Sequence, residues 1–167
     1  SEMCIRDRLM AMSAFWFEHF STSMKSHLIS TDLSDFPSSA QVPEIAGRSM
    51  LVKKVEMLPI ECIVRGYITG SAWKEYKANG TMHGTSLPTN LQESEKLPEP
   101  VFTPSTKAED GLHDENISFT QAADIVGLEI AELAKQKSLE LYSQGAEYAL
   151  ERGIIIADTK FEMGFVD

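Results

Sequence analysis

Leu58-Pro-Ile-Glu-Cys-Ile-Val-Arg-Gly-Tyr-Ile-Thr-Gly-Ser71 reads as a β-strand that runs into a helix. Residues 60–65 are rich in β-branched side chains, and Pro59 lacks the N–H donor of an interior strand position, so the strand begins after it. Gly66, Gly70 and Ser71 then introduce a short helix carrying Trp73 and Tyr76, which the Asn79-Gly80 pair stops. An arginine at the strand end, followed by a glycine and a hydroxyl at a helix start, suits a phosphate or a carboxylate. The same residues also fit an arginine at a sheet edge and an ordinary serine N-cap, and the spacing leaves both readings open.

Working towards the N-terminus, residues 50–55 read as a strand joined tightly to the first, and residues 27–32 as another. Pro37, Ser38, Ser39 and Pro43 break the chain into a loop between them. Residues 9–20 read as an amphipathic helix and not a signal peptide, because Glu2 and Asp7 interrupt the basic lead and no small-residue cleavage site follows. Working towards the C-terminus, residues 88–116 contain Pro88, Pro98, Pro100 and Pro104 and read as one long loop, functional or disordered, whose part 102–116 is either a substrate-ordering lid or a solvated connector, with composition favouring the connector. Ser118-Phe-Thr-Gln121 has the spacing of a capping box. The helix it opens carries Ile130, Leu133, Ala134, Leu141, Tyr142, Ala146 and Ala149 on one face, and Gly153 ends it. Helices and strands mix without strict alternation, which predicts an α+β fold rather than a doubly wound one.

A second informative stretch is Ile154-Ile-Ile-Ala-Asp-Thr-Lys-Phe-Glu-Met-Gly164. As a strand it puts Ile154, Ile156, Asp158, Lys160 and Glu162 on one face and Ile155, Ala157 and Phe161 on the other. That face changes from apolar to carboxylate, ammonium and carboxylate, the pattern of a strand leaving a core for a polar cleft. Two carboxylates can offer oxygen ligands to Mg²⁺, and the lysine can meet a phosphate. A self-neutralising charge ladder on an exposed strand end fits the spacing equally well.

The chain has 167 residues, 43% of them hydrophobic and 24% charged, enough for one domain or two small lobes. Lys+Arg 15 against Asp+Glu 25 leaves a formal charge of −10, so no long-range field draws in nucleic acid or anionic lipid. Anionic substrates need local cations or a metal. Cys4 and Cys62 stand alone, which excludes a disulfide scaffold or zinc ribbon and predicts a reduced, cytoplasmic setting. No stretch reaches the roughly 18 apolar residues of a membrane span. His19, His27, His83 and His113 show no metal spacing and read as structural or surface residues, and Lys53, Lys54 and Glu56 fit a protected sheet edge.

Leu58-Pro-Ile-Glu-x-Ile-Val-Arg-x-x-x-Thr-Gly-Ser71 and Ile156-Ala-Asp-Thr-Lys-Phe-Glu-x-Gly164 together resemble the two signature motifs of the phosphoribosylaminoimidazole-succinocarboxamide synthase, or SAICAR synthetase, family. Three further segments are similar to the family in the same order: Gly47-Arg-Ser-Met-Leu-Val-Lys-Lys54, Leu97-Pro-Glu-Pro-Val-Phe-Thr-Pro-Ser-Thr-Lys-Ala-Glu109 and His113-Asp-Glu-Asn-Ile-Ser118. Met163 stands where the family usually has Phe. The resemblance implies a two-lobed, kinase- and ATP-grasp-related fold with ATP and Mg²⁺ as cofactors. It implies an ATP-dependent ligase that joins L-aspartate to carboxyaminoimidazole ribonucleotide. Other readings are a kinase-like phosphotransferase and a nucleotide-binding pseudo-enzyme.

By the same resemblance Lys54, Glu56 and Met57 lie beside the adenine, Glu162 and Asp158 bind Mg²⁺, and Arg65, Gly70 and Ser71 hold the ribonucleotide phosphate. Asp158 is alternatively the orienter of Lys160. Lys107 and Lys160 serve the phosphoryl-transfer region, and Asp114 the substrate. The family's Gly-rich opening strands and a later metal-binding acid have no counterpart here. The expectation is an internal fragment, inactive alone, with a non-native leader at 1–8, an ATP-binding remainder at 9–57 and a substrate and metal part at 58–167.

Overall fold

A computed structural model of the chain describes residues 2–107 and 115–165. Its contacts divide into two compact units, one running up to Glu56 and the other spanning Met57–Phe165.

The first unit opens with α1 (Glu2–His19), which starts well before the expected residue 9. Nothing between residues 2 and 8 is glycine or proline, so the helix extends through them. Asp7 on this stretch pairs with Arg48 at 3.2 Å. The expected apolar face of α1 is not buried: Ile5, Leu9 and Met12, spaced as one helical stripe, are all exposed. Strands β1 (Leu28–Ser30) and β2 (Leu51–Val52) pair antiparallel. β2 therefore does not form the tight hairpin with residues 60–65 that the sequence suggests. The loop between β1 and β2 holds three single-turn 3-10 helices, the first capped by the Asp32 carboxylate on the Ser34 amide.

After β3 (Glu56–Met57), the second unit is organised on β4 (Ile60–Tyr67). Helix α2 (Gly70–Asn79) follows and ends where expected, with Gly80 at φ +71° donating its N–H to the Tyr76 carbonyl. A hairpin of β5 (Thr81–Met82) and β6 (Thr85–Ser86) comes next. The long loop expected after it contains β7 (Lys96–Phe102) and β8 (Ser105–Thr106), both antiparallel to β4. Pro98 and Pro100 sit inside β7, where the register with β4 is irregular and one edge pairs with no strand among the described residues. A proline's missing donor costs little on such an edge. Ile68, Ala72, Met82, Leu91 and Leu97 form a core here, covered by Trp73 and Tyr76.

The capping box forms as expected: the Ser118 hydroxyl accepts from the Gln121 amide and the Gln121 side chain accepts from the Ser118 amide. It opens α3 (Phe119–Val126), however, and not the long helix; Gly127 at φ +88° separates α3 from α4 (Leu128–Leu150). The buried face of α4 is made of small residues, Ala131, Ala134, Ser138, Gly145 and Ala149, together with Leu141 and Tyr142. Leu133, expected on that face, is 54% exposed. Small residues let the helix approach β4 closely, and a Cβ built on Gly66 would overlap the Tyr142 hydroxyl.

The last described strands are β9 (Asp158–Phe161), antiparallel to β4, and β10 (Gly164–Phe165). The strand expected from Ile154 begins only at Asp158. Ile154 and Ile155 are exposed, 59% and 62%, so they are not the core end of a strand entering a cleft. Their segment is held by its backbone: Tyr142 donates to the Ile156 carbonyl at 2.8 Å and the Gly66 N–H to that of Ala157 at 2.9 Å.

Candidate functional site

Alternation along β4 separates an apolar face from one that carries its charged residues. Ile60, Cys62, Val64 and Gly66 face α4 and are buried. Burial pushes the Cys62 thiol up to about 11 despite its bond to Ser138, so it stays protonated at neutral pH and is an unreactive packing residue. Glu61, Ile63 and Arg65 take the opposite face. β9 continues that face, with Asp158 directly across from Arg65 and Lys160 across from Ile63. A row of charges results, built from both of the sequence's informative stretches.

Arg65 Nη1 donates to Asp158 Oδ2 at 3.3 Å; the arginine side chain is 12% exposed and the carboxylate 48%. Lys160 Nζ lies 2.8 Å from Glu61 Oε1. Glu61 is only 4% exposed, and its other oxygen accepts from Ser105 Oγ at 3.2 Å, so both oxygens of this buried carboxylate are satisfied. Further along, Lys107 Nζ lies 3.0 Å from Glu162 Oε2, with both side chains nearly half exposed. The structure thus brings together Arg65 with Asp158 and Lys107 with Glu162, and gives Lys160 a carboxylate partner, Glu61, that sequence reasoning did not assign. A charged residue inside the apolar run Ile60-Glu-Cys-Ile-Val64 was the available signal.

The remaining candidates are placed as follows. Thr69, and not Ser71, is the N-cap of α2; Gly70 and Ser71 are its first two residues, both exposed. Lys54 and Glu56 are exposed on the first unit, and Met57 is 38% exposed at the start of the second. Asp114 and His113 lie outside the described residues. Among the described residues no three His, Cys, Asp or Glu side chains cluster closely enough to hold a metal ion by themselves. Mg²⁺ at nucleotide sites takes one or two carboxylates and completes its shell with phosphates and water, and the hard oxygens of half-exposed Glu162 fit that role. No described helix is long and apolar enough to cross a membrane.

His83, read from the sequence as structural or surface, is 8% exposed. Burial, and then the charge of Arg65, hold its imidazole below the ordinary value of 6.5. Burial acts to raise the Glu75 carboxyl, but bonds from the His83 backbone, the Thr81 hydroxyl and the Gly84 amide outweigh it and hold Glu75 below 4.5. Both shifts have the same consequence. Each group binds its proton more readily unfolded than folded, so stability falls as pH drops below about 6.5 and falls again below about 4.5. Urea melts from about pH 7.5 to about pH 5 are expected to show the first loss, and His83→Asn to remove it. A pH-independent midpoint over that range in the parent chain contradicts the burial of a neutral ring.

The geometry has close relatives. A protein-family model described as SAICAR synthetase matches residues 7–167, beginning inside the stretch expected to be a leader. The phosphoribosylaminoimidazole-succinocarboxamide synthase of Desulforapulum autotrophicum is 55% identical over 161 residues, covering 95% of this chain and 55% of that protein. The SAICAR synthase of Saccharomyces cerevisiae, solved in complex with SAICAR, superposes with a TM-score of 0.87 at 44% identity, over 96% of this chain and 55% of that one. A SAICAR synthetase solved with ADP matches at a TM-score of 0.69 and 26% identity, over 92% of this chain and 55% of its own. The chain therefore spans about half the length of the curated relatives it matches.

Proposed function

Because this chain belongs to the SAICAR synthetase family, we propose that it contributes the charged sheet face of an ATP-dependent ligase joining L-aspartate to carboxyaminoimidazole ribonucleotide. The products are SAICAR, ADP and phosphate. The observation that carries the reading is the row of charges shared by β4 and β9, with Arg65 against Asp158 and Lys160 against Glu61.

A carboxylate resists attack by an amine, so its oxygen first attacks the γ-phosphorus of ATP and ADP leaves. The aspartate amine then attacks the acyl carbon, loses a proton, and phosphate departs through a tetrahedral state. Every reactant is anionic, and the chain's −10 opposes their approach. Lys107 and Lys160 provide the local positive charge for the transferring phosphoryl group. Glu162 is the residue for Mg²⁺, which when bound screens the nucleotide phosphates. Asp158 is less suited to the same ion: it stands four residues away, about 13 Å along an extended chain, and faces Arg65. Its role is to hold the guanidinium. Arg65, with Gly70 and Ser71 at the start of α2, receives the ribonucleotide phosphate, and Asp114 belongs to the substrate side. Lys54, Glu56 and Met57 border the adenine.

The test replaces the matching half of the Desulforapulum autotrophicum synthase with this chain and follows ADP release. Release that needs both ribonucleotide and L-aspartate supports the ligase; release without aspartate assigns a phosphotransferase, and nucleotide binding without release a pseudo-enzyme. In the same chimera Arg65→Lys keeps the charge but loses the planar fork. The KM for the ribonucleotide is expected to rise about tenfold with that for ATP little changed. An effect on ATP instead would move Arg65 to the nucleotide.

A further inference from the structure

Ser105, Glu61 and Lys160 form a line across three neighbouring strands. Ser105 on β8 is paired directly opposite Glu61 on β4, and β9 runs along the other edge of β4 with Lys160 across from Ile63. The Ser105 hydroxyl donates to Glu61 Oε2 at 3.2 Å, and the Lys160 ammonium donates to Oε1 at 2.8 Å. Hydroxyl, carboxylate and ammonium follow one another from interior to surface: Ser105 is 2% exposed, Glu61 4% and the Lys160 side chain 50%.

The other two pairs on this face are built differently. In Arg65–Asp158 and Lys107–Glu162 the carboxylate is about half exposed, whereas here the anion is buried and the cation meets solvent. A buried carboxylate bears a desolvation cost that its partners at best offset, so an apolar side chain at this position would serve stability as well. What the carboxylate adds is position. A lysine carries its charge on four rotatable bonds, and a half-exposed one spreads over many rotamers. An anion locked by burial and by the Ser105 hydroxyl confines that ammonium through a charge-assisted bond.

We propose that Glu61 is a positioning residue: fixed from behind by Ser105, it holds the Lys160 ammonium where the transferring phosphoryl group receives it. This rests on the assignment of Lys160 to that group. Glu61 lies buried behind the lysine and acts only through it. A mobile ammonium still attracts an anionic nucleotide, but stabilising the charge of a transition state needs the cation in place beforehand. Loss of the carboxylate is therefore felt in kcat and not in KM.

The first reading comes from the 167-residue chain itself. Carbon-13 relaxation of the Lys160 ε-methylene is expected to report an ordered side chain in the parent and a clear loss of order in Glu61→Gln, which keeps the shape of the side chain and removes its charge. Equal order in the two overturns the proposal. The second reading is kinetic, in the chimera with the Desulforapulum autotrophicum synthase. Glu61→Gln is expected to lower kcat about tenfold, with KM for ATP and for the ribonucleotide within about twofold and the melting midpoint unchanged or higher. An unchanged kcat, or a change in KM alone, overturns the positioning role. In a Lys160→Met background the same substitution should cost nothing further, and a second full loss there shows Glu61 acting independently of the lysine and overturns it too. If Glu61→Gln melts below the parent, Ser105→Ala decides, because it leaves the charge and frees the carboxylate: a less ordered Lys160 with a lower kcat supports the proposal, and parent-like values overturn it. Lys160→Met turning over like the parent removes the lysine from the reaction, a failure of the underlying assignment that the relaxation measurement does not share.

Discussion

In the chimera that supplies the rest of a full-length synthase, Glu162→Gln is expected to lower kcat at least about a hundredfold, or about 2.7 kcal/mol of transition-state stabilisation. The substitution keeps the size of the side chain and removes only its charge. Stability offers an internal control. The Lys107–Glu162 pair is nearly half exposed on both sides, and pairs of that kind contribute about 0–1 kcal/mol, so the melting midpoint should barely move. A large rate loss in an equally stable protein is the signature of a carboxylate that works on the ion. A near-normal rate at saturating Mg²⁺ removes Glu162 from the metal.

Gly66→Ala is expected to destabilise the chain by about 3 kcal/mol, at the upper end of what overpacking costs. A Cβ at this position would overlap the Tyr142 hydroxyl and stand 2.7 Å from Cζ. The ring has no easy retreat: Tyr142 is 4% exposed and its hydroxyl is bonded to the Ile156 carbonyl. The backbone is no freer, since Gly66 donates to the Ala157 carbonyl. Urea melts of Gly66→Ala, Tyr142→Val and the double variant test the cause. Tyr142→Val removes the hydroxyl and Cζ, so the alanine should cost far less in that background. If Gly66→Ala melts like the parent, α4 does not approach β4 as closely as described.

The charged face of the second unit was half legible before the structure. Arg65, Asp158, Lys160 and Glu162 could be named from two motifs because each sits in a recognisable local pattern. Their partners could not. Arg65 and Asp158 are 93 positions apart, Lys160 and Glu61 99, Lys107 and Glu162 55. Asp158 was expected to work beside Lys160 and Glu162, since they share a strand face. Asp158 and Lys160 do share that face of β9, and the register with β4 adds Arg65 across from Asp158, a partner that no local pattern names. His83 is buried, within the structural-or-surface reading that the sequence allowed, and its positive backbone angle, φ +49°, is a feature that a lone histidine in a sequence does not announce.

What the sequence determined by itself is local or cumulative. The capping box at Ser118 and Gln121 and the stop at Asn79-Gly80 depend on atoms within a few residues, so they form whatever packs around them. Family membership and the α+β class rest on long motifs and summed patterning. Tertiary structure decided the rest. β7 exists despite Pro98 and Pro100 because β4 offers it a partner along one edge. Leu133 is exposed and Ala134 buried because close approach to β4 selects small side chains over large ones. Ile154 and Ile155 lie at the surface because the carbonyls of Ile156 and Ala157, held by Tyr142 and Gly66, delay the strand to Asp158. Burial and register are set by contacts between residues distant in the chain, and periodicity within one segment carries no information about which distant segment it will meet.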